Sequence, residues 1–301
     1  MGASVLDLFA LFSIMSHAHV CKGSEMGVDM KLGYNGATTM TSPFETDVRI
    51  SSAAGFDVLE ITATKLDKYL QTHTLADARK LIDAAKLKTH AINSIEQINS
   101  RDAAIRQKVL ARTREISEWC KALACPWIIA VPGSTPPGAT WDQIRDETVA
   151  VLRAMNDISA PRGVNLAFEF LGFPWCSVQT VAQAWEIVQT INLPTVGIVI
   201  DTCHFFAGGS TIDSIKAIDA KKLAVFHIND VEKMPREYIE DANRLFPGDG
   251  VIPLKEIVAA IRGIGYSGVA SVEIFRPEYW RRKPLAVAKE AYTKSKKVIG
   301  K

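Results

Sequence analysis

The chain has 301 residues, 48% of them hydrophobic and 23% charged, which is the composition of a globular protein with a sizeable core. Its formal net charge of +2 gives no reason to expect a nucleic acid or an anionic membrane as a partner. Five cysteines, none of them in a Cys-x-x-Cys pair, are typical of reduced thiols in a reducing compartment. We therefore expect a cytoplasmic protein.

Residues 1–29 differ from the rest of the chain. The apolar run at residues 6–15 is about ten residues long, which is too short to span a bilayer. A small-residue pattern that suits signal-peptide cleavage follows it, but the run contains Asp7 and no Lys or Arg precedes it. We therefore expect a disordered extension, or translation from an upstream start, in preference to a signal peptide.

From residue 30 onward, short apolar segments alternate with amphipathic ones. The apolar segments predict eight strands, at residues 31–35, 56–61, 89–93, 126–131, 164–169, 196–201, 223–227 and 269–273. The amphipathic segments predict helices. The first begins at Ser42-Pro43, and the others cover residues 74–85, 102–123, 141–159, 178–191, 210–220, 253–264 and 284–299. Thr74 and Ser177 are predicted N-caps.

Eight strand–helix units predict one closed barrel. Alternation of strands and helices indicates a parallel sheet with right-handed crossovers, and eight units close a (β/α)8 TIM barrel of the α/β class. An open doubly wound sheet is the alternative, but no Gly-x-Gly-x-x-Gly follows the first strand. We expect residues 30–301 to form a single barrel domain.

The last four predicted strands each end in a side chain that binds metals. These residues are Glu169, Asp201, His227 and Glu273. The carboxyl ends of the strands form the active site of such a barrel, so adjacent strands place the four side chains around one part of the rim. A lone buried His is more often a hydrogen-bonded core residue, but three carboxylates packed without a cation would have to protonate. The set predicts one divalent ion, Zn²⁺, Mn²⁺ or Co²⁺, with Mg²⁺ as a further candidate.

Other residues near the strand ends are candidates for substrate binding. His204 is expected to bind a substrate hydroxyl or shuttle a proton, and the alternative is that it orients the neighbouring carboxylate. Arg276 suits substrate hydroxyls or oxyanions, and the alternative is an ion pair. Trp175 suits an apolar wall against a sugar ring, although aromatic residues of loops often only pack there. Glu60 and Asn93 are further candidates for the pocket wall.

The sequence resembles the xylose-isomerase-like barrel family of sugar isomerases and epimerases, and within it the inosose isomerases. The resemblance begins at Met30 and runs nearly to the C-terminus. It is carried by MKLGYNGATT at residues 30–39, AVP at 130–132, FEF at 168–170, DTCH at 201–204, FHIND at 226–230, RLFPGDG at 244–250 and SVEIFRPEY at 271–279. One departure is Gly36, where we expect a Glu in the inosose isomerases.

The resemblance implies a metal-dependent ketose isomerase, an intramolecular oxidoreductase of inositol catabolism. Such an enzyme moves the carbonyl of an inosose (2-keto-myo-inositol), a cyclic ketose, to the neighbouring carbon through a metal-stabilised enediolate. Glu169 and Glu273 would act as acid and base on opposite faces of the substrate, while Asp201 and His227 would be ligands only. Arg244 would contact the substrate from a lid formed by the long connection at residues 228–251. A homo-oligomer is also implied.

Other functions remain open at this point, because the same ligand set permits elimination of water and epimerisation. Inosose dehydratase, dehydroshikimate dehydratase and ketohexose 3-epimerase are the alternatives. Apurinic endonucleases use this barrel with three metals, but His73 and His90 are poor substitutes for their additional ligands, and the near-neutral charge argues against a DNA channel. A non-catalytic sugar-binding barrel is expected to lose part of the ligand set, and none is missing.

Overall fold

The structure is a computed structural model that describes residues 30–300, so the predicted extension at residues 1–29 lies outside the described residues. Within this range, the Val- and Ile-rich segments pair as eight parallel strands, and the first strand pairs with the last. These barrel strands are β1 (Lys31–Asn35), β2 (Val58–Thr62), β3 (Lys88–Ile95), β4 (Trp127–Ala130), β5 (Asn165–Glu169), β6 (Val196–Asp201), β7 (Leu223–Ile228) and β10 (Val269–Val272). The predicted (β/α)8 barrel is confirmed.

The helices pack on the outside of the barrel. They are α1 (Phe44–Ala54), α2 (Ala63–Leu70), α3 (Leu75–Ala84), α4 (Ala103–Leu123), α5 (Trp141–Ser159), α6 (Val181–Ile191), α7 (Thr202–Ala207), α8 (Ile212–Lys216), α9 (Leu254–Gly263), α10 (Pro277–Trp280) and α11 (Pro284–Val298). None of these helices, all within residues 30–300, is long and apolar enough to cross a membrane. The connection after β7 contains two short antiparallel strands, β8 (Asp230–Val231) and β9 (Arg244–Leu245).

The helix starts show where local capping decides the structure. Thr74 caps α3 in a capping box, as predicted. The prediction that Ser177 caps the next helix is wrong, because α6 begins later, where Thr180 and Gln183 form a capping box. The Ser177 hydroxyl instead donates to the carbonyl of Gly133 at 2.9 Å.

The helix predicted at residues 210–220 is much shorter in the structure. Thr211 caps α8, which ends at Lys216. The side chain of Asp219 then accepts a hydrogen bond from the backbone N–H of Lys221 and starts a 3₁₀ turn, which ends the helical segment early. Helices α2 and α10 were not predicted, since both are short and directly follow strand ends.

The barrel strands are buried on both faces, because one face meets the helices and the other lines the barrel interior. Every residue of β6 and β7 is buried. Small and branched residues fill a part of the interior, among them Ala91, Ile129, Ala167, Val199 and Val225. A rigid, close-packed barrel of this kind fixes the positions of the side chains at its carboxyl end.

Candidate metal centre and active site

The four residues predicted as metal ligands lie together at the carboxyl end of the barrel. Glu169 and Asp201 are the last residues of β5 and β6, His227 is the second-to-last residue of β7, and Glu273 directly follows β10. These strands are neighbours in the barrel. All four side chains are buried, and one ligand atom from each lies within 4.8 Å of the others.

The imidazole of His227 connects the ligand set to the barrel interior. Its Nδ1 lies 3.0 Å from Glu169 Oε1, 3.3 Å from Glu273 Oε2 and 4.0 Å from Asp201 Oδ2. Its Nε2 lies 3.0 Å from both carboxylate oxygens of Glu60 on β2. Histidines that bind metals ordinarily donate their other ring N–H to such a carboxylate, which fixes the tautomer. Glu60 therefore contacts the side of the His227 ring opposite Nδ1, and it does not line the cavity next to the ligand set, so the expectation that it forms the pocket wall is wrong.

The site attracts positive charge. Burial alone would lower the pKa of His227, but the carboxylates of Glu273, Glu60 and Glu169 outweigh burial and hold this pKa well above its usual range. Burial raises the pKa of Glu273 well above its ordinary value, and the neighbouring Glu169 raises it further. A proton on Nδ1 of His227 is thus held among the three ligand carboxylates, where a divalent cation would also be stabilised. The donor set fits a divalent metal ion.

Arg244 reaches into this site from β9 and is only 1% exposed. Its Nη1 donates to Asp201 Oδ2 at 2.7 Å and to Glu273 Oε2 at 3.2 Å. Its Nε and Nη2 reach Asp241 Oδ1 at 2.9 and 2.8 Å, and Nη2 also lies 3.0 Å from His204 Nε2. Four of the five N–H groups of the guanidinium thus have acceptors, and Nη2 also lies close to the Asp241 carboxylate. Burial alone would raise the pKa of Asp201, but the charges of Arg244 and His227 and the backbone N–H of His204 outweigh it and hold this pKa below its ordinary value.

The connection that carries Arg244 is pinned to the barrel. The buried carboxylate of Asp230 accepts backbone N–H groups from Val231 at 2.9 Å, Gly248 at 3.1 Å and Ile252 at 2.9 Å. A Cβ at residue 250 would lie 2.1 Å from the carbonyl oxygen of Val231, so only Gly fits this close approach. These contacts hold residues 230–252 over the strand ends.

His204 is a neutral hydrogen-bond donor beside the ligands. Because a guanidinium only donates, its contact with Arg244 makes Nε2 the acceptor and places the ring proton on Nδ1. This Nδ1 is buried and has no hydrogen-bond partner among the described residues. Burial lowers the pKa of His204. The backbone N–H of His204 donates to Asp201 Oδ1 at 2.9 Å, so the residue also fixes that carboxylate.

A cavity of about 450 Å³ opens above the ligand set. Glu169, Glu273, His204 and Arg244 line it, together with the aromatic side chains of Phe173, Trp175 and Phe275. Trp175 is 51% exposed and contacts the Phe173 ring at a centroid distance of 5.9 Å. A larger groove of about 1010 Å³ lies between α8 and α9, but none of the four ligand residues lines it. The smaller cavity is therefore the candidate substrate site.

The structure places Arg276 away from this cavity. Its Nη2 donates to Glu232 Oε1 at 2.8 Å, and its Nε lies 3.3 Å from Glu278 Oε2. Within the described part of the chain, Arg276 does not line the cavity. The ion pair, which was the alternative at the sequence level, is the arrangement that the structure shows.

Three asparagines support the ligands, and sequence analysis singled out only one of them. Asn35 and Asn93 donate through Nδ2 to Glu273 Oε1, at 2.9 and 2.6 Å. Asn229 donates through Nδ2 to Asp201 Oδ2 at 2.7 Å. Asn35 ends β1 and Asn229 immediately follows β7, so they share the strand-end position of the acids. The same pattern, read for amides as well as acids, would have identified them.

Comparison with known proteins places this site in a family context. The family model described as the xylose isomerase-like TIM barrel matches residues 48–297. The chain is 38% identical to an inosose isomerase of Bacillus subtilis over 270 residues, which are 89% of this chain and 96% of the relative. It is 25% identical to a D-psicose 3-epimerase of Agrobacterium fabrum over 233 residues, which are 73% of this chain and 75% of the relative.

Among solved structures, the chain is similar to the IOLI protein with a binding zinc atom. The TM-score is 0.87 and the sequence identity 37%, and the match covers 90% of this chain and 98% of that one. The sequence match, the closed barrel and the buried ligand set agree with one another. The chain belongs to the xylose isomerase-like TIM barrel family.

Proposed function

We propose that this protein is a divalent-metal-dependent isomerase that moves the carbonyl of an inosose to the neighbouring carbon. The observation that carries the proposal is the buried cluster of Glu169, Asp201, His227 and Glu273 below a cavity, in a chain that matches an inosose isomerase over nearly its whole length.

Three carboxylates and the Nδ1 atom of His227 would hold the metal ion. Zn²⁺, Mn²⁺ and Co²⁺ all suit this donor set, and the zinc atom in the similar IOLI protein supports Zn²⁺. When bound, the ion supplies positive charge that acidifies a C–H next to a ketone and stabilises negative charge on the ketone oxygen.

Glu169 and Glu273 perform the proton transfers in this proposal. One carboxylate removes the proton from the hydroxyl-bearing carbon beside the ketone, which leaves an enediolate with its negative charge on the former ketone oxygen. The other, in its protonated form, donates a proton to the former carbonyl carbon, while the hydroxyl proton moves to the former ketone oxygen, so the product is the isomeric ketose. Glu169 on β5 and Glu273 after β10 lie on strands separated by β6 and β7, which supports their action from different sides of the substrate.

His204 and Trp175 are the proposed substrate contacts. The Nδ1–H of His204 is a buried donor without a partner among the described residues, and a substrate oxygen would satisfy it. Trp175 offers an apolar surface to the ring at the cavity mouth. Arg244 holds Asp201, Glu273 and His204 in place through its hydrogen bonds, and it also lines the cavity, where the resemblance implies a substrate contact.

The cavity favours a neutral substrate over an anion. Its lining contains the acids Glu96 and Asp241 in addition to Glu169 and Glu273, and the guanidinium of Arg244 is already paired with the carboxylates of Asp201, Glu273 and Asp241. This argues against dehydroshikimate dehydratase, whose substrate is a carboxylate. The similarity to a D-psicose 3-epimerase makes ketohexose epimerisation the second candidate.

The positions of two histidines argue against a nuclease that binds additional metal ions. His73 stacks on the ring of Tyr69 at a centroid distance of 4.2 Å, and His90 Nε2 bonds the carbonyl oxygen of Ala224 at 2.9 Å. Neither belongs to the groups of potential ligands found among the described residues. A cytoplasmic location and a homo-oligomer stay predictions of the sequence.

The test is NMR spectroscopy of 2-keto-myo-inositol incubated in D₂O with protein loaded with Zn²⁺, Mn²⁺ or Co²⁺. We expect deuterium to enter beside the carbonyl and a new cyclic ketose to appear. Loss of water to a diketone would identify a dehydratase. Absence of exchange with all three metals, together with exchange on a linear ketohexose, would replace this function by the epimerase.

A further inference from the structure

A buried charged pair lies beside the metal centre but outside the cavity. Lys65 on α2 and Asp47 on α1 are 7% and 2% exposed, and Nζ lies 2.6 Å from Asp47 Oδ2. Apolar residues of similar volume often replace buried ion pairs without loss of stability, so such a pair is weak evidence of a stabilising role. Its hydrogen bonds indicate another role.

The pair clamps a short 3₁₀ turn, Gly36–Thr39, that directly follows β1. The remaining two N–H groups of the Lys65 ammonium donate to the carbonyl oxygens of Gly36 and Thr39, at 2.8 Å each. Asp47 accepts the hydroxyl of Thr39 through Oδ1 at 2.9 Å. The first and last residues of the turn are therefore both held by the pair.

The clamped turn in turn holds Glu273. Asn35 caps the turn, since its Oδ1 accepts the N–H of Ala37 at 2.9 Å, and its Nδ2 donates to Glu273 Oε1. The hydroxyl of Thr38 donates to the carbonyl of Val272 and accepts the N–H of Ile274, at 3.2 Å each. The turn thus contacts the Glu273 side chain and the backbone on both sides of it.

Gly36 is adapted to this pair. A Cβ at residue 36 would lie 2.7 Å from Asp47 Oδ2 and 2.7 Å from Thr62 Oγ1. A side chain at this position would therefore displace the carboxylate that holds Lys65. Residue 36, which is Gly where we expect a Glu, is thus the residue against which the Asp47 carboxylate packs.

We infer that Lys65 and Asp47 form a positioning pair that orients Glu273 through the turn at residues 36–39. The inference rests on the proposed role of Glu273 as a ligand and acid–base group. Misplacement of a reacting carboxylate mainly affects the chemical step, so kcat should fall while KM changes little.

Three variants and one control test the inference. Lys65→Met removes the clamp, and Lys65→Met/Asp47→Leu removes it without leaving an unpaired buried charge. Thr38→Val leaves the pair intact but breaks the contacts beside Glu273. The control is Arg112→Met. Arg112 lies on α4 and pairs with Asp67, which is on α2 like Lys65, but Arg112 has no contact with the turn.

The readouts are kcat and KM with inosose, and the visible spectrum of the Co²⁺-loaded protein, which reports ligand geometry without turnover. We expect kcat to fall on the order of tenfold in all three variants, with KM within about twofold and a changed Co²⁺ spectrum. Arg112→Met should match the wild type. If the wild type proves inactive on inosose, the proposed function fails, and the spectrum still tests the positioning role.

Three results would overturn the inference. One is a wild-type Co²⁺ spectrum in Lys65→Met, or in the double variant if the single variant does not fold. Another is an equal fall in kcat in Arg112→Met, which would show a general effect of weakened helix packing. The third is full recovery of kcat and spectrum in the double variant, which would show that only the unpaired charge was harmful.

Discussion

The two sides of the barrel rim contribute differently to the metal centre. The strands β5, β6, β7 and β10 supply every residue of the ligand set. The strands β1, β2 and β3 supply supporting groups instead: Asn35 and Asn93 donate to Glu273, and Glu60 accepts from His227. One side therefore supplies the candidate ligands, with Asn229 after β7 as a supporting group among them, and the other side supplies only groups that orient the ligand side chains.

This difference has a physical reason. Carboxylates that face one another across a small buried site repel unless a cation lies between them, so their number is limited. The lone pairs that a metal leaves free still need donors, and amides supply these without added charge. Glu60 is the exception on the supporting side, and its contact with the Nε2–H of His227 explains why a carboxylate is useful there.

The largest effect is expected on the ligand side. Glu169→Gln and Glu273→Gln should each lower kcat by about 10²-fold or more, since each removes a group that accepts and returns a proton. Steady-state kinetics with inosose measures this, and the exposed Glu278→Gln serves as the control. Near-normal turnover in either ligand variant would remove that glutamate from the acid–base role.

On the supporting side, Glu60→Gln should weaken metal binding while keeping the fold. Loss of the carboxylate partner of a metal-binding His typically costs about 10- to 100-fold in affinity. Competition with a chromophoric chelator measures the Zn²⁺ affinity, and Glu96→Gln in the cavity wall is the matched control. An unchanged affinity in Glu60→Gln would mean that this contact does not set the His227 tautomer.

A smaller effect concerns pH and stability, again on the supporting side. Burial raises the pKa of Asp47 from 3.8 to about 7, and Lys65 only partly offsets this. The folded protein therefore holds the proton on Asp47 more tightly than the unfolded chain does. The stability that this protonation contributes is fully present below pH 4 and is lost as pH rises through about 7. Asp47→Asn lacks this dependence.

Denaturant unfolding of the wild type and Asp47→Asn at several pH values measures the difference. The wild type should lose stability relative to the variant between pH 4 and 7, by at most about 1.4 kcal/mol per pH unit. A difference that is constant over this range would show that Asp47 does not titrate there.

The smallest effect is expected for Arg276→Ala, because Arg276 belongs neither to the ligand side nor to the supporting side of the metal centre. Its guanidinium pairs with Glu232 and Glu278 and does not line the cavity, so its removal should change the KM for inosose by less than about twofold. Steady-state kinetics checks this. A tenfold rise in KM at unchanged kcat would return Arg276 to the substrate site.

The clustering of the four candidate ligands was predictable from the sequence because of its local pattern. A Val- and Ile-rich run that ends in an acid, as at Asp201, identifies both the strand and the rim position. The barrel followed from the count of such runs, although the start of α6 was misplaced because two caps, Ser177 and Thr180, compete within a few residues.

The supporting contacts were not predictable in the same way. Whether Glu60 faces the interior beneath His227 depends on the register of strands across the closed barrel, which local patterns do not contain. Arg244 lies 43 residues beyond Asp201, and its approach depends on the fold of the connection pinned by Asp230. Buried contacts between distant segments of this kind require the tertiary structure.

The most direct test of the division between ligands and supports is a crystal structure of the Zn²⁺-loaded protein, with the metal located by anomalous scattering. We predict Zn²⁺ bound by Glu169, Asp201, Glu273 and Nδ1 of His227, with Nε2 of that ring still bonded to Glu60. A zinc ion bound to Glu60, or to Nε2 of His227, would contradict the account.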